Sequence, residues 1–190
     1  MADLDALAAA ATQVKSKGLP PVHLWNPPFC GDIDMRIASD GTWFYLGTPI
    51  GRTAMVRLFS TILRKDPERF VLVTPVERVG IKVDDAPFLA VELLAETSNN
   101  GAVLRFRTNL DDWTTADEAH PIRFEPEATG GLKPYILVRG DLWAKATRSI
   151  SLELVALAKT RSLDGVATLG IESEGCFFAM APLSDIGELA

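Results

Sequence analysis

Two period-two runs of hydrophobic and polar residues, and two near-helical ones, set out the chain. Ile33, Met35 and Ile37 alternate with Asp34, Arg36 and Ala38, as in a strand with one buried face. Asp40-Gly41 follows, a favoured two-residue turn pair, and then the β-prone run Thr42-Trp43-Phe44-Tyr45-Leu46, which together predict a β-hairpin. Val103–Phe106 alternates in the same way before Arg107, behind Asn99-Asn100-Gly101, so 88–96 is read as the partner strand of a second hairpin. Met55, Leu58, Phe59 and Ile62 fall at i, i+3, i+4 and i+7, predicting an amphipathic helix over 52–63. Ile150, Leu154, Leu157 and Arg161 share one helical face, widened by Leu152 and Val155, predicting a helix over 147–161. An Ala-rich docking helix is expected over 3–14, opened by Asp3 and Asp5 and stopped by Gly18 and the prolines after it.

Shorter strands are expected at 70–74, 79–83, 120–124, 135–139, 166–171 and 176–181, with polar loop or a short helical turn at 109–119, an exposed loop at 125–133 and a peripheral tail after 182. Each half then holds short strands, a helix of about a dozen residues and further strands. That is a structural echo without residue-level repetition. Helices segregated among short antiparallel strands indicate an α+β fold. The expected organisation is an N-terminal helix and linker at 1–19, an α+β domain at 20–86 and a second domain at 87–190.

Composition narrows the function. Of 190 residues, 47% are hydrophobic and 23% charged, as in soluble globular proteins. A formal charge of −6 argues against general nucleic-acid binding, and no apolar run reaches membrane-span length. The opening residues lack a signal peptide's basic start, so a cytoplasmic location is expected. Cys30 and Cys176, the two cysteines, are read as free thiols.

No reaction signature is present. Gly47-Thr48-Pro49-Ile50-Gly51-Arg52-Thr53 departs from the phosphate loop in glycine spacing and in placing Arg where Lys is required. What survives is an anion at the start of the helix beside Arg52, held by backbone N–H groups and the helix dipole, against the plainer reading of a turn with a solvated Arg. Asp32 and Asp34 are weighed as a cation or acid–base pair and read as solvated. His23, His120 and the cysteines are too few for a zinc site. A Cys30–His120 nucleophile–base pair is the enzymatic alternative, with Asp32 as a further candidate. The more suggestive set is basic and aromatic: Arg105 and Arg107 on one strand face, Arg123 and Arg139 nearby in the same half, and Trp25, Trp43, Tyr45, Trp113, Tyr135 and Trp143 as stacking surfaces.

The ordered landmarks PPVHLWNPPFCGDIDMRI, DGTWFYLGTPIGR, MVRLFSTIL, VTPVERVGI, DDAPF, RTNLDD, HPIRF and PYILVR resemble an uncharacterised bacterial family of a domain of unknown function, from Pro20 onward. The resemblance implies two β-rich domains related by duplication, the C-terminal one pleckstrin-homology-like. It further implies a ligand site between them for a nucleotide-like molecule, and a role in signalling. The expectation is therefore non-enzymatic binding of a small anionic, nucleotide-like ligand. Arg52, Arg105 and Arg139 would hold its charge and Trp25, Tyr45 and Tyr135 would wall it. No cofactor is assigned. An enzyme using Cys30, Asp32 or His120 and a protein-interaction module with a protein partner are the alternatives.

Overall fold

The computed structural model describes residues 4–13, 18–99, 101–127 and 131–185. Asp3, Asn100, part of the loop expected at 125–133 and the end of the tail lie outside these, as do the side chains of Leu4 and Leu7 in the first helix. The chain divides into two compact units, Met1–Pro87 with Gly140–Leu142 and Phe88–Arg139 with Trp143–Ala190.

The first unit holds helix α1 (Leu4–Gln13), a 3-10 turn at Val22–Leu24, strands β1 (Phe29–Ile37), β2 (Trp43–Tyr45) and β3 (Thr48–Pro49), helix α2 (Thr53–Thr61), and strands β4 (Leu63–Lys65), β5 (Phe70–Val73) and β6 (Arg78–Val83). The strands make one sheet in the order β3-β2-β1-β6-β5-β4. All pairings are antiparallel except β1 with β6, which run parallel at the centre.

The second unit repeats this plan. Strands β7 (Phe88–Ser98), β8 (Gly101–Thr108), β9 (Trp113–Thr115), β10 (Ile122–Pro126), β11 (Leu132–Arg139) and β12 (Leu142–Ala146) form a sheet of order β10-β11-β12-β7-β8-β9. Its central pair, β12 with β7, is again parallel. Numbered within each unit and read from the appropriate edge, both sheets have the order 3-2-1-6-5-4. The echo in the sequence is thus a repeated topology. The helices depart from the repeat: α2 sits between the third and fourth strands of its sheet, whereas α3 (Arg148–Leu157) follows the sixth. After α3 come β13 (Lys159–Leu163), β14 (Val166–Ser173) and β15 (Cys176–Pro182), a separate antiparallel sheet.

Residue chemistry explains the elements. In the first sheet Met35, Ile37 and Trp43 are buried, as are Phe59 and Ile62 of the α2 segment, and the Trp43 and Phe59 rings stack at 6.5 Å. Each such fully buried large side chain contributes roughly 1.5–3 kcal/mol. The β1–β2 turn differs from the expected two-residue form. Ala38 and Thr42 close a loop of Ser39, Asp40 and Gly41, in which only Gly41 takes positive φ (81°). Asp40 instead uses its carboxylate to accept the Thr42 N–H at 2.9 Å, an Asx-type device.

Helix α3 ends at Leu157, four residues before the expected 161, and Arg161 lies on β13. Asp164 (φ 50°) and Gly165 (φ 84°) form a two-residue hairpin turn that pairs 159–163 with 166–170, and cross-strand pairing overrides the helical spacing. Ile150 and Leu154 are buried, but Leu152 is 62% and Val155 55% exposed, so the apolar stripe of α3 is narrower than the sequence implies. Residues 109–119 contain β9 where loop or a helical turn is expected.

Ser173 fastens the three-stranded sheet to β8: its hydroxyl accepts from Leu104 N–H at 2.9 Å and donates to Ala116 O at 2.6 Å. Nearby, a Cβ on Gly170 would stand 2.4 Å from the Phe177 ring and 2.6 Å from the Phe178 carbonyl oxygen. Gly170→Ala is expected to cost about 1–3 kcal/mol in urea unfolding through this overpacking. Gly80→Ala, whose new methyl meets chiefly the movable Asp32 carboxylate, costs less.

The Thr42 backbone bond, foremost, lowers the Asp40 carboxyl below its ordinary 3.8. A depressed folded value gives stability that is present above the unfolded value and lost as pH falls through the folded one. Asp40→Ala should therefore lower the melting temperature at pH 7, with the difference from wild type fading in acid. Asp40→Asn, which keeps the acceptor, should be milder.

Candidate functional site

Strand register sorts the first sheet into two faces. Leu63, Leu72 and Val79 lie side by side, and Met35 with Tyr45 and Ile37 with Trp43 continue the apolar face under α2. On the other face Arg64, Val71, Gly80 and Asp32 form one row, and Val73, Arg78 and Phe29 the next. Phe29 and Asp32 are three residues apart yet oppose Arg78 and Gly80, two residues apart, because β1 bulges between them. Gly31 supplies the positive φ (94°) at that bulge. Without the bulge, Phe29 and Asp32 would point to opposite sides.

Arg64 organises the polar face. It is mostly buried, with its side chain 17% exposed, and its Nε donates to Asp66 Oδ1 at 2.7 Å. Its Nη1 donates to the carbonyls of Val22 at 2.8 Å and Trp25 at 2.6 Å. Arg78 Nη1 donates to the other Asp66 oxygen at 3.0 Å. One carboxylate thus binds two guanidinium groups, and one guanidinium ties the 3-10 turn to the sheet. Arg69 pairs loosely with Asp32 at 3.4 Å and lies over the Phe29 ring at 4.7 Å, as Arg78 does at 5.9 Å. Phe29, Asp66, Pro67, Glu68, Arg69 and Arg78 line a cavity of about 340 Å³. None of these six is among the candidates read from the sequence. Their convergence depends on pairing among three strands, and only the Arg-rich composition of 64–78 hinted at it.

A second cavity, of about 280 Å³, lies at the start of α2, lined by Tyr45, Thr48, Pro49, Ile50, Gly51, Arg52 and Met55. It joins two of the expected site residues. Tyr45 is half-buried on β2, and Arg52 is the exposed N-cap of α2, its Nη2 3.8 Å from Met55 Sδ. No side chain caps α2 and no acidic residue stands in its first turn. A cation therefore occupies the end of the helix where the backbone dipole is positive, a position that favours negative charge.

The remaining candidates are distributed as follows. Trp25 is half-buried and engaged through its carbonyl by Arg64. Arg105, Tyr135 and Arg139 belong to the second unit. Arg105 stacks on Trp113 at 5.4 Å, and Trp113 is 41% exposed. Arg139 donates to Asp112 at 2.6 Å and covers the Phe88 ring at 5.0 Å. Tyr135 is 3% exposed with Arg123 over its ring, and Trp43 is 2% exposed, so both serve as core side chains and offer no open stacking wall. Arg107 is held by Glu92 and Asp111, whose hydrogen bonds push its already high pKa up.

Cys30 is exposed, its thiol 3.6 Å from Pro28 O, while His120 in the other unit is engaged by Asp117 through its backbone N–H at 2.7 Å and Nδ1 at 3.1 Å. Among the described residues no group of three or more His, Cys, Asp or Glu is placed to hold a metal ion, and no helix is long and apolar enough to cross a membrane.

Replacing Arg64 with Ala removes the donor to the Trp25 carbonyl and to one oxygen of Asp66, and leaves the Val22 carbonyl with the Trp25 N–H at 3.3 Å. About 2–4 kcal/mol should be lost in chemical unfolding. Arg64→Lys should recover little, because a single ammonium lacks the fork that reaches Asp66 and both carbonyls.

The model of the domain of unknown function DUF1285, N-terminal domain, matches residues 20–86, and that of the DUF1285 C-terminal domain matches residues 87–180. The crystal structure of a DUF1285 family protein from Silicibacter pomeroyi DSS-3 is similar at 50% identity and TM-score 0.87, over 98% of this chain and 100% of that one. A DUF1285 family protein from Shewanella baltica OS155 is similar at 27% identity and TM-score 0.51, over 65% of this chain and 91% of that one. Comparison with curated proteins gives no match.

Proposed function

The chain belongs to the DUF1285 family, and on that premise we propose that it binds, without turning over, a small anionic, nucleotide-like ligand in the cavity at the start of α2. The observation that carries this reading is Arg52 at an uncapped helix N-terminus, beside a cavity walled by Tyr45, Pro49, Ile50 and Met55. A phosphate there meets a guanidinium, the first backbone N–H groups and the positive end of the dipole together. Tyr45 offers a ring to a base or another flat group, and Thr48 a hydroxyl to a sugar. A volume of about 280 Å³ is at the small end of ligand sites and suits part of a mononucleotide rather than a polymer. A polymer is also disfavoured by the net charge of −6.

Arg105 with Trp113 supplies a separate cation–ring pair on the second unit, and the cavity does not require it. The pleckstrin-homology likeness of that unit belongs to the same reading, supported by its mostly antiparallel pairings and the helix after the sixth strand. Signalling is placed downstream, since a receptor without turnover acts through occupancy.

Calorimetric titration of the full chain with AMP, adenosine and inorganic phosphate tests the proposal. AMP should bind saturably and more tightly than either fragment. Arg52→Gln, at an exposed position, should weaken AMP by about tenfold or more, the worth of one charge-assisted hydrogen bond. Tyr45→Ala should weaken AMP but not phosphate. Undetectable AMP binding, or an affinity untouched by both substitutions, would overturn it.

A further inference from the structure

The cavity against Phe29 lies on the opposite face of the same sheet, and its charge pattern differs. Asp66 is committed to Arg64 and Arg78. Among the described residues Arg69 forms an ion pair only with Asp32, at 3.4 Å, with the two side chains 41% and 70% exposed, a contact of little energetic weight. Glu68 forms no ion pair among the described residues. Arg78 Nε is buried with no acceptor, an unmet donor of the kind that native structures rarely leave. Phe29 is 40% exposed although two guanidinium groups stand over its ring.

The surroundings are charge-balanced: Arg64, Arg69 and Arg78 face Asp32, Asp66 and Glu68. A dianion would gain from Arg69 and Arg78 but would be repelled by the unpaired Glu68. A cation alone would leave the arginine side unmet. A molecule with one charge of each sign satisfies both. The remaining lining, Phe29 and Pro67, is apolar and rigid.

We propose that this cavity binds a zwitterion of amino-acid type. Its carboxylate sits at Arg69 and Arg78, its ammonium at Glu68, and its apolar, preferably aromatic, body on Phe29 and Pro67. The two-residue β4–β5 turn at Pro67-Glu68, closed by Asp66 N–H to Arg69 O at 2.9 Å, fixes the acid and the base on adjacent residues. The bulge at Gly31 brings Phe29 onto their face. The site is separate from the Tyr45–Arg52 cavity, so the two readings stand or fall apart.

The test titrates the ¹⁵N-labelled full chain separately with L-phenylalanine, 3-phenylpropionate and phenethylamine, which share a ring and differ in charged groups. L-phenylalanine should shift the amides of residues 66, 68, 69 and 78–80 saturably, at least about tenfold more tightly than either analogue. Glu68→Gln should reduce it to the level of 3-phenylpropionate, and Arg69→Gln to that of phenethylamine. Both substitutions are at exposed or half-exposed turn positions, and neither should alter AMP binding. Equal affinity for 3-phenylpropionate and L-phenylalanine would overturn the proposal in favour of a plain anion site. Absence of saturable shifts at these amides with all three probes, or insensitivity to Glu68→Gln, would overturn it outright.

Discussion

The pairing on which the first unit depends is the parallel ladder between β1 and β6, its first and last full strands. Parallel neighbours need a long crossover, and here the crossover is nearly the whole unit: the β2–β3 hairpin arm, α2, and the β4–β5 hairpin. The sheet centre forms only when the two ends of the module meet, which makes its key contacts non-local and ties folding to the complete segment. The second unit solves the same problem in the same way with β7 and β12. The two units share the strand order 3-2-1-6-5-4 and differ in where their helices fall.

From this ladder follows the division of the first sheet into an apolar face under α2 and a face of guanidinium groups. Irregular register, with shifts at Phe29/Asp32 and Asp32/Arg36, lets one strand serve both. β1 contributes Phe29, before the bulge at Gly31, and Asp32, just after it, to the polar side, and further along Met35 and Ile37 to the core. Gly80 is the counterpart on β6: a Cβ there would fall 1.9 Å from Asp32 Oδ1, displacing that carboxylate, and would meet the Phe29 ring at an ordinary contact distance of 3.5 Å. Arg64 then closes the layer by drawing the carbonyls of Val22 and Trp25 onto the sheet. Each cavity is thus a by-product of how one sheet edge is finished: one where α2 begins, the other where the β4–β5 turn meets the start of β1.

What the sequence disclosed follows the range of the interactions. The β1–β2 hairpin, the stripe on α2 and the alternation of Val103–Phe106 were legible because neighbouring residues determine them. The helix expected to reach 161 failed where a local signal was weighed too lightly. Asp164-Gly165 is the same dipeptide as Asp40-Gly41, and its turn takes Arg161 into a strand. Strands β3, β4 and β9, two or three residues long, carry too few positions to show a period. The Arg64–Asp66–Arg78 network was invisible because its members meet only after β4, β5 and β6 pair. Tyr135 was read as a ligand wall and Trp43 as a stacking surface from residue type alone, whereas both are buried. Of the residues proposed for one site, Tyr45 and Arg52 share a cavity because they flank a single short connection.

The cation of Arg52 stands at the positive end of α2, which no side chain caps, beside a partly apolar cavity, a juxtaposition of like charge. An anion resolves it, and a ring beside the anion uses Tyr45. The most direct measurement is a crystal structure of the full chain grown with AMP. An anion site at the start of α2 predicts phosphate oxygens within hydrogen-bonding distance of the Arg52 guanidinium and the first N–H groups of α2, with the base against Tyr45. AMP ordered at another position, with the α2 cavity holding only water, would contradict it.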